Sequence, residues 1–210
     1  MEFYLGTLIF SNSLLVISCL SGLIKWPLLS TKSRMFYSYI VFIFAIELFV
    51  KMFIFIFETS DVHFLYPFYV SGEFFLLMCL FRVELHMSKY MYIGIGLATW
   101  LIFIDTFYIS NFDNHTQHFG KIVSHIAIIG LSAYILIKRM FDFERKNLFL
   151  LVYASLFKYY AVSLFFFLVL NQLATLSKSS ASILWGMNNI LASILYGTSI
   201  YIFLSSKRLR

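Results

Sequence analysis

Residues 36–57 read FYSYIVFIFAIELFVKMFIFIF, twenty-two positions interrupted by two charges, Glu47 and Lys51. At 1.5 Å per residue that run makes a helix of about 33 Å, the thickness of a bilayer's hydrocarbon core. Six further runs of spanning length lie around it, at 4–24, 66–83, 90–109, 119–140, 148–170 and 183–204. The reading is an all-α integral membrane bundle of seven transmembrane helices.

The composition agrees. Of 210 residues, 61% are hydrophobic and only 12% charged, against about half and about a quarter in soluble domains. Spans and short connections use up the length, so one domain covering residues 1–210 is expected, with no room for a separate soluble one. A net charge of +6 would suggest nucleic acid in a soluble protein. Here the positions of the charges say otherwise, and no nucleic-acid partner is expected.

Twelve basic residues fall in alternate connections and the tail: Lys25, Lys32, Arg34, Arg82, Lys89, Lys138, Arg139, Arg145, Lys146, Lys207, Arg208 and Arg210. The remaining loops hold Lys178 alone, and Lys51, Lys121 and Lys158 lie within spans. Because cytoplasmic loops retain positive residues, this asymmetry predicts an external N-terminus and a cytoplasmic C-terminus, and it requires an odd number of spans. Met1-Glu2-Phe3 carries no basic residue before the first apolar run, so the first helix is expected to stay as an uncleaved span. Pro27 and Pro67 stand at run ends, where proline does not break a helix. Tyr4, Trp26, Tyr66, Tyr90, Tyr108 and Trp185 suit interfacial belts, whereas Trp100 falls mid-span. Cys19 and Cys79 lie in apolar runs and suggest no disulfide framework.

Ionisable side chains inside a bilayer are costly and mark function or internal pairing. Glu47 and Lys51 stand one turn apart on one helix face, in the favourable acid-before-base order. Glu73 lies near the centre of the third run, Lys158 near the centre of the sixth, and Asn12, between Ser11 and Ser13, at similar depth in the first. Further outward come Asp105, Lys121, Ser124, His125, Asn188 and Asn189. The in-span charges balance, with Glu47, Glu73 and Asp105 against Lys51, Lys121 and Lys158.

Ala154, Ser155, Lys158 and Ala161 share one side of the sixth helix, and Asn189, Ala192, Ser193, Tyr196 and Gly197 one side of the seventh. The expected arrangement is a polar centre open to the outside, in which Glu47, Lys51, Glu73 and Lys158 all face inward and Glu73 pairs with Lys158. Such a centre serves equally well to fix helix register or to bind a ligand, ion or proton, and both readings stay open. The candidate binding residues are Glu47, Lys51, Glu73, Lys158, Asn188 and Asn189.

Phosphate-binding, zinc-protease and nucleophile-elbow motifs are missing, so no catalytic residue and no enzyme activity are expected. The seventh run has no lysine for a retinal Schiff base, and no cofactor is expected. His63, Asp113, His115 and His118 fall in outer loops, too scattered to assign a metal site. His86, with Arg82, Glu84 and Lys89, reads as a headgroup-facing loop, and Asn114-His115-Thr116 matches a glycosylation sequon.

Three segments carry a resemblance: Phe44-Ala45-Ile46-Glu47-Leu48, the stretch from Leu65-Tyr66-Pro67-Phe68-Tyr69 to Glu73-Phe74-Phe75-Leu76-Leu77, and Trp185-Gly186-Met187-Asn188-Asn189. Together they resemble a group of small uncharacterised bacterial inner-membrane proteins with seven helices. The resemblance implies association with two-component signalling and carries over only Glu47, Glu73 and Asn188. It favours a sensory or accessory subunit that acts through a cytoplasmic or membrane partner. A proton or charged-solute transporter and a structural subunit of an envelope complex are the alternatives.

Overall fold

The computed structural model describes residues 2–57, 62–110, 119–141, 148–170 and 178–206. Seven α-helices run in order: α1 Glu2–Lys25, α2 Thr31–Phe57, α3 Tyr66–Glu84, α4 Met91–Ser110, α5 Phe119–Phe141, α6 Leu150–Leu170 and α7 Lys178–Ser205. Short 3₁₀ turns at Trp26–Leu28 and His63–Leu65 follow α1 and precede α3. Each of the seven helices is long and apolar enough to cross a membrane, which implies contact with a lipid bilayer. Helices suit that solvent because they satisfy their backbone hydrogen bonds internally.

Several helices are longer than the apolar runs. Helix α2 starts at Thr31, which places Lys32 and Arg34 in its first turn, and α7 starts at Lys178. Hydropathy marks the hydrocarbon, and nothing obliges a helix to stop where the hydrocarbon does. Hydroxyls inside the spans bond to the carbonyl one turn back, as Ser13 does to Ile9, Thr99 to Ile95 and Thr106 to Ile102. Each is satisfied locally and needs no partner helix.

The helices form two compact units: residues 31–124, and residues 1–30 with 125–210. In the first unit α3 is the central helix, with half of its most apolar stretch buried against 17% for α2 and for α4. Its neighbours run antiparallel to it. Lys32 of α2 reaches Glu84 of α3, and Phe42 of α2 lies where a side chain on Gly72 would have to go. Phe68 of α3 meets Phe103 of α4 edge to face at 5.1 Å, and the Arg82 guanidinium lies 4.0 Å over the Tyr92 ring.

In the second unit α1 and α7 run parallel. Phe3 lies against Gly186, Asn189 donates to Thr7, and Ser18 shares a hydrogen bond with Ser199, so both chains advance together. Parallel packing of the first and seventh helices is what alternating crossings require of two odd-numbered spans. Ser11, Ser18 and Gly22, small enough for close approach, lie with Leu15 on the buried stripe of α1. Ser155 of α6 bonds to Thr198 of α7 at 3.0 Å.

Candidate functional site

Glu73 is a buried charge within a candidate span of the first unit. It sits seven residues into α3, roughly 10 Å along the helix, and is 3% exposed. Two tyrosine hydroxyls donate to its Oε1, each at 3.3 Å: Tyr39 from α2, and Tyr69 from the preceding turn of α3. The Lys121 ammonium of α5 lies within the electrostatic reach of Glu73 and stands 5.5 Å over the Tyr66 ring. Both are attractive contacts for a cation, and the second falls within the cation–π range. Three helices, α2, α3 and α5, thus send side chains to one carboxylate.

Asp105, one turn from the end of α4, sits at the same end of the unit. Its Oδ2 accepts the backbone N–H of Gly120 at 2.7 Å. That bond satisfies one of the orphan donors in the first turn of α5 and places a carboxylate at the positive end of the helix dipole. The approach is close: a β-carbon on residue 120 would lie 2.9 Å from Asp105 Oδ2 and 3.2 Å from the Ile102 carbonyl oxygen, so a larger residue there must displace the Asp105 carboxylate or shift the backbone contact. The clasp holds Lys121, the next residue, beside Tyr66. Chemically the assembly is a carboxylate with hydroxyl donors and a nearby ammonium, able to exchange a proton or to meet a small polar or charged ligand.

The residues expected in one polar centre have different surroundings within their own units. Glu73 is buried, but its neighbours are Tyr39, Tyr69 and Lys121, and Lys158 is exposed, as is Lys51. On α6 the buried face belongs to Val152, Tyr153, Leu156 and Tyr160, which turns Lys158 to the exposed side with Leu151 and Phe165. Glu47 is half-buried, with Lys51 of its own helix within electrostatic reach. Asn189 bonds to Thr7 at 3.4 Å, and Asn188 is half-buried with a buried Oδ1. These two asparagines belong to the unit of α1 and α7, whereas Glu47, Lys51 and Glu73 belong to that of α2–α4.

Sequence reasoning missed the tyrosines. Tyr69 stands four residues before Glu73, one helical turn, and was readable from spacing. Tyr39 is 34 residues away and gave no local signal. Glu84 was also misplaced: it is buried at 3% exposure and paired with Lys32 at 2.6 Å, not turned to a headgroup surface. His86, two residues on, takes the left-handed backbone conformation that ends the α3 turn. Asp113, His115, His118 and the Asn114 sequon lie outside the described residues, as do Arg145, Lys146, Lys207, Arg208 and Arg210. His63 is exposed, and among the described residues no three His, Cys, Asp or Glu side chains cluster as metal ligands would.

Comparison with protein-family models, with curated proteins and with solved structures found no match to this chain. What defines it is therefore its seven candidate membrane spans and the Glu73 cluster.

Proposed function

We propose that the chain is a sensory or accessory membrane subunit that reads a small ligand, ion or envelope condition at the Glu73 cluster and passes the change to a separate partner protein. One observation carries the reading: a buried in-span carboxylate, Glu73, is met by side chains from α2, α3 and α5. A change in its charge or occupancy alters contacts on three helices at once, which is how a local event biases a packed bundle between two arrangements.

Orientation supports the same reading. With the Lys and Arg distribution setting the cytoplasmic face, the loop between α2 and α3 is external, and the Glu73 cluster lies toward the outside of a bacterial inner membrane. The short basic loops carry no effector motif, so output passes to another protein, in keeping with the resemblance to seven-helix proteins of two-component systems.

The test compares wild type with Glu73→Gln for two readouts, the partner copurified in mild detergent and the transcriptional response to envelope change. Glu73→Gln is expected to keep the partner and lose at least about tenfold of the response. An unchanged response, together with proton or solute flux into proteoliposomes carrying the wild-type chain, would instead make it a transporter.

A further inference from the structure

Helix α3 ends in a turn that its own backbone closes. The N–H groups of Leu85, His86 and Met87 donate to the carbonyls of Phe81, Val83 and Arg82 respectively, and His86 takes a φ of 52°. Backbone groups thus satisfy the end of α3 and leave the basic side chains of the turn for other contacts. Arg82 is held from two directions: its Nε donates to the Ser88 carbonyl oxygen at 3.2 Å, and its guanidinium lies 4.0 Å over the Tyr92 ring in the first turn of α4. Among the described residues its two terminal nitrogens make no hydrogen bond, and Lys89, next to Ser88, is exposed and makes no hydrogen bond or ion pair.

The turn joins α3 to α4, both long and apolar enough to cross a membrane, so it lies at the level of the lipid headgroups. Tyr90 and Tyr92, both exposed, are side chains favoured at that level. Glu84, the acid nearest in sequence, is buried and paired with Lys32 at 2.6 Å, so its charge is already met. With every candidate span crossing, the turn shares one side of the membrane with the connections after α1 and α5 and with the tail. In sequence that side holds twelve basic residues against three acids, Glu84, Asp142 and Glu144. A second copy brings the same excess to the same level. Neither the chain nor its copy supplies the missing negative charge, whereas the phosphates of the bilayer do.

We infer that the α3–α4 turn binds the phosphodiester of an anionic phospholipid, with the Arg82 guanidinium as a two-pronged donor and the Lys89 ammonium as a second cation. A guanidinium stacked on an aromatic ring keeps the edge of its plane for hydrogen bonds, and its fork matches two oxygens of a phosphate. The Nε contact to Ser88 fixes that fork before the lipid arrives, which lowers the ordering cost of binding. An anionic lipid is favoured over a zwitterionic one because no ammonium of its own headgroup competes with Arg82 and Lys89 for the phosphate. None of these residues belongs to the Glu73 cluster, so lipid binding here is independent of any response to Glu73→Gln.

The full-length chain, purified in mild detergent with equimolar phosphatidylglycerol and phosphatidylcholine, is weighed with its bound lipids by native mass spectrometry. The expected result is preferential retention of phosphatidylglycerol by wild type. Retention should fall about tenfold or more in Arg82→Gln with Lys89→Gln, and severalfold in Arg82→Lys, which keeps the charge and loses the fork. Lys25→Gln with Lys138→Gln removes the same charge from the other unit and should retain the lipid as wild type does. Detergent gel filtration checks folding, and Lys89→Glu, at an exposed position, carries the test with a severalfold loss if Arg82→Gln does not fold. Equal retention of both lipids by wild type, retention unchanged in the Arg82 and Lys89 variants, or an equal loss in the Lys25 and Lys138 variant overturns the inference. Displacement of phosphatidylglycerol by an equal concentration of inorganic phosphate would make the site one for free phosphate. Retention gained only in Asp142→Asn with Glu144→Gln would make its occupant the chain's own acids, and either result also overturns the lipid site.

Discussion

Within the Glu73 cluster, individual atoms decide what the site tolerates. Glu73→Gln keeps the size and an acceptor oxygen but removes the charge that Lys121 meets, and it is expected to cost about 1–3 kcal/mol by thermal unfolding in detergent. Adding Lys121→Met to Glu73→Gln should recover part of that loss, because neither charge is then left alone. A double-mutant cycle showing no coupling between positions 73 and 121 would dissolve the cluster. Gly120→Ala places a methyl against Asp105 and the Ile102 carbonyl oxygen, and it should destabilise by about 1–3 kcal/mol. Unfolding curves superimposable on wild type would remove the clasp from the account. The acids of this site were legible in the sequence because charge in an apolar run is conspicuous. Their partners were not, because tyrosine is common in these spans and only the tertiary fold brings Tyr39 to Glu73.

Between helices, α2 is tied to α3 by the pair Lys32–Glu84, with the Glu84 side chain 1% exposed. Lys32→Met leaves that carboxylate buried without its cation and is expected to cost about 3–5 kcal/mol, whereas Lys32→Met with Glu84→Leu should lie near wild type. Denaturation midpoints of the single and double variants in one detergent would decide it. Position in sequence hid this pair: Lys32 and Glu84 both read as loop charges until the helices proved longer than their apolar runs. The α1–α7 contact makes a separate prediction. In a chain with Cys19 and Cys79 replaced, cysteines at 18 and 199 should crosslink on oxidation, as Ser18 and Ser199 touch. Cysteines at 18 and 186 should not, because parallel packing sets Gly186 beside Phe3. The reverse result would mean antiparallel helices.

At the scale of the whole chain, the seven helices follow from hydropathy alone, since a bilayer requires apolar length and satisfied backbone of every crossing. Burial faces did not follow. Apolar residues surround most of these helices, so nothing in the pattern distinguished the side of α6 that holds Tyr153 and Tyr160 from the side that holds Lys158. The account rests on an orientation in which the loop between α2 and α3, and with it the Glu73 end of the unit, is external. The most direct measurement is single-cysteine labelling of intact cells with a membrane-impermeant reagent, using His63→Cys and Lys89→Cys in a chain lacking Cys19 and Cys79. The expected result is that position 63 reacts at once and position 89 only after permeabilisation. Labelling of position 89 in intact cells, with position 63 protected, would invert the protein in the membrane and contradict the account.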